Sequence, residues 1–310
     1  MTQPSIRRIA VVGAGTIGAS WTAYFLAHGL DVTVSDPAPS APDLVRRTID
    51  TVWPSLVQLG LAPGASPDRV RFVTDPVAAV EGAEFVQENG PEKEDVKIAL
   101  FALLDAALPL ETIIASSSSG LLISRIQSGC AHPERCVIGH PFNPPHLMPL
   151  VEVVGGNQTS PDTIARTMAF YREIGKYPIH IRAEVTGHIA NRLQAALWRE
   201  AIHLVDTGVA SVADVDAAVA YGPGLRWALM GPSLTFHLGG GEGGMEHFMA
   251  HLAGPMQTWW DALGSPALTP ERQQKIIDGV AEATAGRGVP DLASERDALL
   301  VELLKLKLKR

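Results

Sequence analysis

Cysteine is nearly absent from this sequence: Cys130 and Cys136 are the two in 310 residues. That is too few for a disulfide scaffold, and their spacing is not C-x-x-C, so both read as ordinary buried thiols. Positive charge is also short. With 25 Lys and Arg against 33 Asp and Glu, the formal net charge is -8, the pI is near 5.7, and no Lys/Arg cluster offsets it. Such a surface repels phosphate backbones, which argues against a nucleic-acid partner. No apolar run reaches the roughly 18 residues of a membrane span. The opening MTQPSIRRIAVVGAG meets Gly13 too early for a secretory signal, and a cytoplasmic protein is expected.

What is present suits a folded chain. Hydrophobic residues make up 46% and charged residues 19%, with a mean hydropathy of +0.12, a balance that excludes extensive disorder. A chain of 310 residues exceeds the usual single core, so two domains are expected. There is no internal repeat and no low-complexity tract.

The first 185 residues alternate short β-branched runs with longer helical patterns, as βαβ units do. Six strands are predicted, at Ile9–Val12, Val32–Ser35, Val70–Val73, Phe85–Gln87, Thr112–Ala115 and Cys136–Gly139, in a parallel sheet covered by helices on both faces. Helical spacing covers Trp21–His28 and Glu92–Ala107, with Pro91 at a tolerated first-turn position. The character changes near Glu184. Amphipathic patterns at Ile189–Asp206 and Val212–Tyr221 precede helical fragments broken by GPG, MGP and GGGEGG, without a convincing strand. The expected fold is therefore α/β: a Rossmann-type dinucleotide-binding domain at 1–185, followed by a smaller all-α domain at 186–310. The closing LLVELLKLKLKR reads as a solvated helix end, its cations complementing the helix dipole.

Chemistry begins at IAVVGAGTIG, where Gly13, Gly15 and Gly18 form G-x-G-x-x-G between an apolar strand and a helix. Gly13 permits the tight turn, Gly15 lets the backbone approach a pyrophosphate, and Gly18 lets helix and strand pack closely. Amides at the helix start, around Thr16 and Ile17, then bind the anion without a basic side chain. Asp36 ends the next strand, 18 residues after Gly18, where a carboxylate can hold an adenosine ribose. Pro37, Ala38, Pro39 and Ser40 follow it, with no arginine for a 2′-phosphate, so the expected cofactor is NAD.

In CVIGHPFNPPHLMPLVEVVGG, His140 directly follows a buried strand pattern, at the edge where open α/β sheets bind ligands. Twelve residues later Glu152 stands alone in LVEVV, where an ionised carboxylate needs a partner. A carboxylate on one imidazole nitrogen fixes the tautomer and leaves the other nitrogen to take a proton near neutral pH. The alternative readings are a hydrogen-bonded strand-end histidine and a carboxylate on a half-exposed strand.

With these residues in place, the chain resembles the L-3-hydroxyacyl-CoA dehydrogenases over nearly its whole length. The resemblance runs from the glycine turn through ASSSSGL, GHPFNP, PLVEVV and TGHIANRL to MGP. It implies His140 as catalytic base, Glu152 as its orienting carboxylate, and Ser119 and Asn191 as the groups that hold the reacting oxygen. It further implies cofactor contacts from Asn143, Glu92 and Lys97, and a homodimer built on the helical domain. Hydride transfer needs no metal, and none is expected; His247 and His251, with Glu246 and His237 nearby, are in the wrong order for H-E-x-x-H. A serine nucleophile among Ser116 to Ser119 lacks the G-x-S-x-G elbow.

Within this superfamily, Tyr221–Pro232 reads YGPGLRWALMGP, two residues longer than the acyl-CoA enzymes' turn. It resembles the branch containing L-carnitine dehydrogenase and L-gulonate 3-dehydrogenase (lambda-crystallin). Arg226 in this turn is suited to bind a free carboxylate bidentately, and Trp227 beside it to face a quaternary ammonium. Trp198, Phe236, Trp259, Trp260 and Phe142 are further aromatic candidates, each also readable as core or interface packing. The expected activity is NAD-dependent oxidation of the 3-hydroxyl of a small L-3-hydroxy acid. An L-3-hydroxyacyl-CoA substrate is one alternative, and a non-catalytic NADH-binding crystallin-like protein is another.

Overall fold

The computed structural model describes residues 6–308. Eight strands form one sheet: β1 (Arg8–Val12), β2 (Asp31–Ser35), β3 (Val70–Val73), β4 (Phe85–Glu88), β5 (Ile113–Ser116), β6 (Cys136–Pro141), β7 (Leu150–Gly155) and β8 (Tyr177–Ile181). Their order is β3-β2-β1-β4-β5-β6-β7-β8. The six expected strands are all present, and the fold is Rossmann-type. The expectation of a sheet ending at the sixth strand fails, because β7 runs antiparallel to β6 and β8 parallel to β7. The reason is connection length: only the residues between Pro141 and Leu150 join β6 to β7, too few for the helical crossover that parallel neighbours require.

Strand β1 shows why these runs are continuously apolar. Ile9 and Val11 enter one core, with Trp21, Phe25 and Tyr171, while Ala10 and Val12 enter another, with Phe101, Leu104 and Ile114. Both faces of the strand are covered, so alternation with polar residues is lost. The Thr16–Ala27 helix is buried along almost its whole length. The Ala41–Leu59 helix stops at Gly60, whose φ of 102° ends the helical path. Pro91 lies ahead of the Glu94–Ala107 helix rather than inside its first turn.

The chain divides into two compact units, one running to Asn191 and including Asp297–Leu308, the other Arg192–Arg296. This differs from a break at 185 in two places. Residues 186–191 stay with the sheet because the amides of Ile189 and Ala190 bind Glu152 there. The end of the last helix, Val289–Leu308, returns to it, with Val301 1% exposed and Lys305 bonded to Gln58. That helix carries Lys305 and Lys307 in its last turn, and the final two residues of LLVELLKLKLKR lie outside the described ones.

No strand occurs in the second unit among the described residues, and its helices have clear starts. Ser211 and Asp214 form a reciprocal capping box for Val212–Tyr221, and Thr269 caps Pro270–Thr284. No described helix is long and apolar enough to cross a membrane.

Candidate active site

The glycine turn leaves β1 at the carboxyl edge of the sheet. Gly13 has φ 93°, and a Cβ on it would lie 2.7 Å from the Asn89 carbonyl. A Cβ on Gly18 would come within 1.9 Å of the Gly13 oxygen, whereas around Gly15 nothing lies within 4 Å. Two glycines therefore serve close packing, and the third leaves the helix start, Thr16 and Ile17, open to a ligand. These first-turn amides have no partner within the helix and carry its positive end. Asp36 accepts hydrogen bonds from the amides of Ala14 and Ala38, both at 2.8 Å. Beside it lies a cavity of about 310 Å³ lined by Val34, Pro39, Phe72 and Thr74 among others, with no Lys or Arg in its lining. The turn, the carboxylate and this cavity fit the pyrophosphate and adenosine of NAD.

Loops leaving β4 and β5 are tied together by charge. Glu88, fully buried at the end of β4, accepts from Lys97 Nζ at 2.7 and 2.9 Å, from Ser116 Oγ at 2.6 Å and from the Gly90 amide at 2.6 Å. Lys97 also donates to the Gly90 carbonyl and is 1% exposed, so its ammonium braces the loop from within. Glu92 Oε1 accepts from Ser118 Oγ at 2.7 Å and from the amides of Ser119 and Gly120 at 3.0 Å. Burial pushes the Glu92 carboxyl up, but the Ser118 hydroxyl, Lys97 and those two amides together hold it below its ordinary value. Ser119 itself is exposed, three residues past β5.

His140 and Glu152 are brought together by the antiparallel step: the β6–β7 register sets them directly opposite, where side chains share a face. His140 Nδ1 lies 2.8 Å from Glu152 Oε2. The other oxygen, Oε1, accepts from the amides of Ile189 and Ala190, each at 2.9 Å. Glu152 is fully buried and His140 6% exposed. Burial raises the Glu152 pKa, yet the bonds from His140 and the two amides outweigh it and keep the carboxyl below the usual range. An ionised carboxylate at Nδ1 holds that nitrogen as the donor and leaves Nε2 with its lone pair.

Asn191 is the second residue of the Ala190–Asp206 helix and is half-buried. It belongs to the first unit, directly after Ile189 and Ala190, whose amides bind Glu152. Asn143 is exposed in the loop after β6, ahead of a cis bond to Pro144. Buried Lys176 donates to the carbonyls of Pro145 and Met148 in the same loop.

Arg226 and Trp227 lie in the second unit, on the short Pro223–Trp227 helix, both exposed. His247 and His251 stack with ring centroids 4.1 Å apart, and among the described residues no group of three or more His, Cys, Asp or Glu is arranged to hold a metal ion. The Cys130 and Cys136 sulfurs are 3.7 Å apart as free thiols.

Sequence reasoning missed Glu88 and His188. The signal for Glu88 is a carboxylate ending an apolar strand nine residues before Lys97, the same isolation that pointed to Glu152. His188 has no such signal; the fold alone places its ring 5.1 Å from that of His140.

Two family profiles match the chain: the 3-hydroxyacyl-CoA dehydrogenase NAD-binding domain over residues 8–185, and the C-terminal domain of the same family over 187–279. The chain belongs to the 3-hydroxyacyl-CoA dehydrogenase family. It is an NAD-dependent dehydrogenase. Among curated relatives, an L-carnitine dehydrogenase of Streptomyces coelicolor is 51% identical over 98% of this chain and 96% of its own length. One from Bacillus cereus is 47% identical over 99% and 94%. Among solved structures, 5-formyl-3-hydroxy-2-methylpyridine 4-carboxylic acid 5-dehydrogenase, described as an NAD+ dependent dismutase, is 31% identical, with a TM-score of 0.83 over 97% of this chain and 98% of that one. The (S)-3-hydroxybutyryl-CoA dehydrogenase of Ralstonia eutropha is 26% identical, with a TM-score of 0.64 over 80% and 89%.

Proposed function

We propose that this family member oxidises the 3-hydroxyl of a small, free L-3-hydroxy acid, L-carnitine foremost, with His140 as base and Glu152 as its orienting partner. The reading rests on one observation: His140 Nδ1 lies 2.8 Å from a carboxylate whose second oxygen is already held by two amides. His140 Nε2 takes the hydroxyl proton as C3 loses hydride, and Glu152 stabilises the resulting imidazolium. When bound, NAD supplies the hydride acceptor. Gly13, Gly15, Thr16, Ile17 and Gly18 hold its pyrophosphate, Asp36 its ribose, and Glu92, Lys97 and Asn143 shape the loops around it. Ser119 and Asn191 hydrogen-bond the oxygen that becomes the carbonyl.

Support for L-carnitine comes from relatives of that name at about half identity over nearly the whole chain. Arg226 would bind the carboxylate and Trp227 the quaternary ammonium. The second reading, a 3-hydroxyacyl-CoA thioester, is favoured by the family profiles and by the Ralstonia eutropha relative. An assay of NAD with L-carnitine, L-gulonate and L-3-hydroxybutyrate, alongside NADH with acetoacetyl-CoA, separates the two. The highest kcat/KM is expected for L-carnitine. Turnover of the thioester without turnover of L-carnitine overturns the substrate assignment, and NADH binding without turnover of any of them leaves the crystallin-like alternative.

A cytoplasmic homodimer completes this reading. The dimer accounts for the large apolar side chains that the second unit leaves exposed, among them Trp198 at 54%, Trp259 at 60% and Trp260 at 61%.

A further inference from the structure

His188 is a buried histidine that the proposed reaction does not use. Its side chain is 2% exposed, and its φ of 48° puts a non-glycine residue in the left-handed region, just after Gly187 at 79°. Its Nε2 lies 3.1 Å from the Ser118 carbonyl oxygen. A carbonyl only accepts, so Nε2 carries the ring proton and Nδ1 presents a lone pair. That Nδ1 is buried and has no hydrogen-bond partner among the described residues. Burial first, and the neighbouring His140 next, lower the ring's pKa despite the Ser118 bond. The imidazole is therefore neutral at neutral pH, and Nδ1 remains an acceptor. A buried acceptor without a partner is uncommon in native proteins and points to a donor that arrives from outside.

The chemistry of the reaction limits which donor that is. A substrate alcohol brings one O–H, and His140 takes it. The carboxylate of a free hydroxy acid only accepts, and a quaternary ammonium has no N–H. The cofactor's nicotinamide, however, carries a carboxamide on the carbon next to the one that receives hydride, so its N–H groups accompany the reacting centre. With ring centroids 5.1 Å apart, His188 stands beside the base at that centre. We propose that His188 Nδ1 accepts a hydrogen bond from the nicotinamide carboxamide of bound NAD, making His188 a positioning residue for the cofactor ring. The proposal rests on His140 being the base and on a hydroxy acid that brings no donor beyond its one reacting hydroxyl.

Equilibrium binding tests it without turnover. NADH is compared with reduced 3-acetylpyridine adenine dinucleotide, in which a methyl replaces the amide nitrogen and removes both N–H donors. The dissociation constants are read from quenching of protein fluorescence in the absence of substrate. The natural protein is expected to prefer NADH about tenfold, as one hydrogen bond to a buried acceptor implies. In His188→Phe the preference collapses to near one. His188→Asn, a residue type that tolerates left-handed backbone but is too short to reach, behaves the same and serves if the phenylalanine variant does not fold. Equal affinities in the natural protein, or a preference that survives in the variants, overturn the proposal. So does a rise in substrate KM with the cofactor preference unchanged, which moves His188 to the substrate. Failure of the His140 assignment shows separately, as turnover that persists in His140→Gln.

Discussion

The two units of this chain treat polar and apolar groups in opposite ways. The first buries charge in pairs: Lys97 with Glu88 at 2.7 Å, Arg135 with Asp105 at 2.7 Å and His140 with Glu152 at 2.8 Å. Around them lie two apolar cores, one on each face of the sheet. The second unit buries few apolar side chains, Ile202, Val205, Val215 and Phe248 among them, and leaves Leu193, Trp198, Leu234, Leu238, Trp259 and Trp260 exposed. A buried ion pair tolerates no loss of one partner, because the other is left charged and dry. An exposed apolar side chain does little for an isolated protomer. The first unit therefore encloses two apolar cores of its own, whereas the second leaves more of its large apolar side chains exposed.

The sharpest way to break this contrast is inside the first unit. Lys97→Met is expected to destabilise the protein by about 3–5 kcal/mol in chemical unfolding, leaving Glu88 unpaired; a change under about 0.5 kcal/mol means the pair is not the brace described. Next, His140→Gln is expected to lower kcat by about 10²-fold or more, as removal of a general base does, with NADH affinity retained. Retained turnover reduces His140 to a structural strand-end residue.

In the second unit the expected effects are functional rather than structural. Arg226→Ala is expected to raise KM for L-carnitine about tenfold or more, the loss of a charge-assisted pair, with the melting temperature and NADH binding unchanged. An unchanged KM removes Arg226 from the substrate site. Trp259→Glu with Trp260→Glu is expected to change stability of the protomer by only a few tenths of a kcal/mol, yet to shift the molecular mass seen by light scattering from dimer to monomer. A large loss of secondary structure instead means these tryptophans belong to a core.

A further expected effect is a matter of pH. Burial first, then nearby Lys176, lowers His28 to about 4 against the Tyr24 carbonyl bond. The unfolded chain takes up this proton near 6.5, so the stability contributed by neutral His28 is complete above that pH and drains away as the pH falls toward 4. His28→Gln should flatten the stability profile over that window, and an unaltered slope means another group titrates there.

Much of this was readable along the chain because it depends on neighbours in sequence. Strand β1, the glycine turn and Asp36 follow one another within a single βα unit, and each signal is local. Continuous apolar runs marked doubly covered strands, and an isolated Glu152 marked a buried acid. Strands β7 and β8 escaped because the first is interrupted by that acid and the second reads YPIHI, half polar. Asn191's place in the first unit, and the Glu88 brace, depend on hydrogen bonds between segments far apart in sequence.

By itself, then, the chain determined a phosphate-binding turn, a carboxylate for the ribose, and an imidazole at the edge of a sheet, since each is encoded over a few adjacent residues. Only the tertiary structure decided that His140 meets Glu152. That pairing needs the chain to reverse between β6 and β7, and a register one residue different would have turned the two side chains to opposite faces. Folding also decided that the amides of Ile189 and Ala190 hold the remaining carboxylate oxygen, and that His188 comes to rest beside the base.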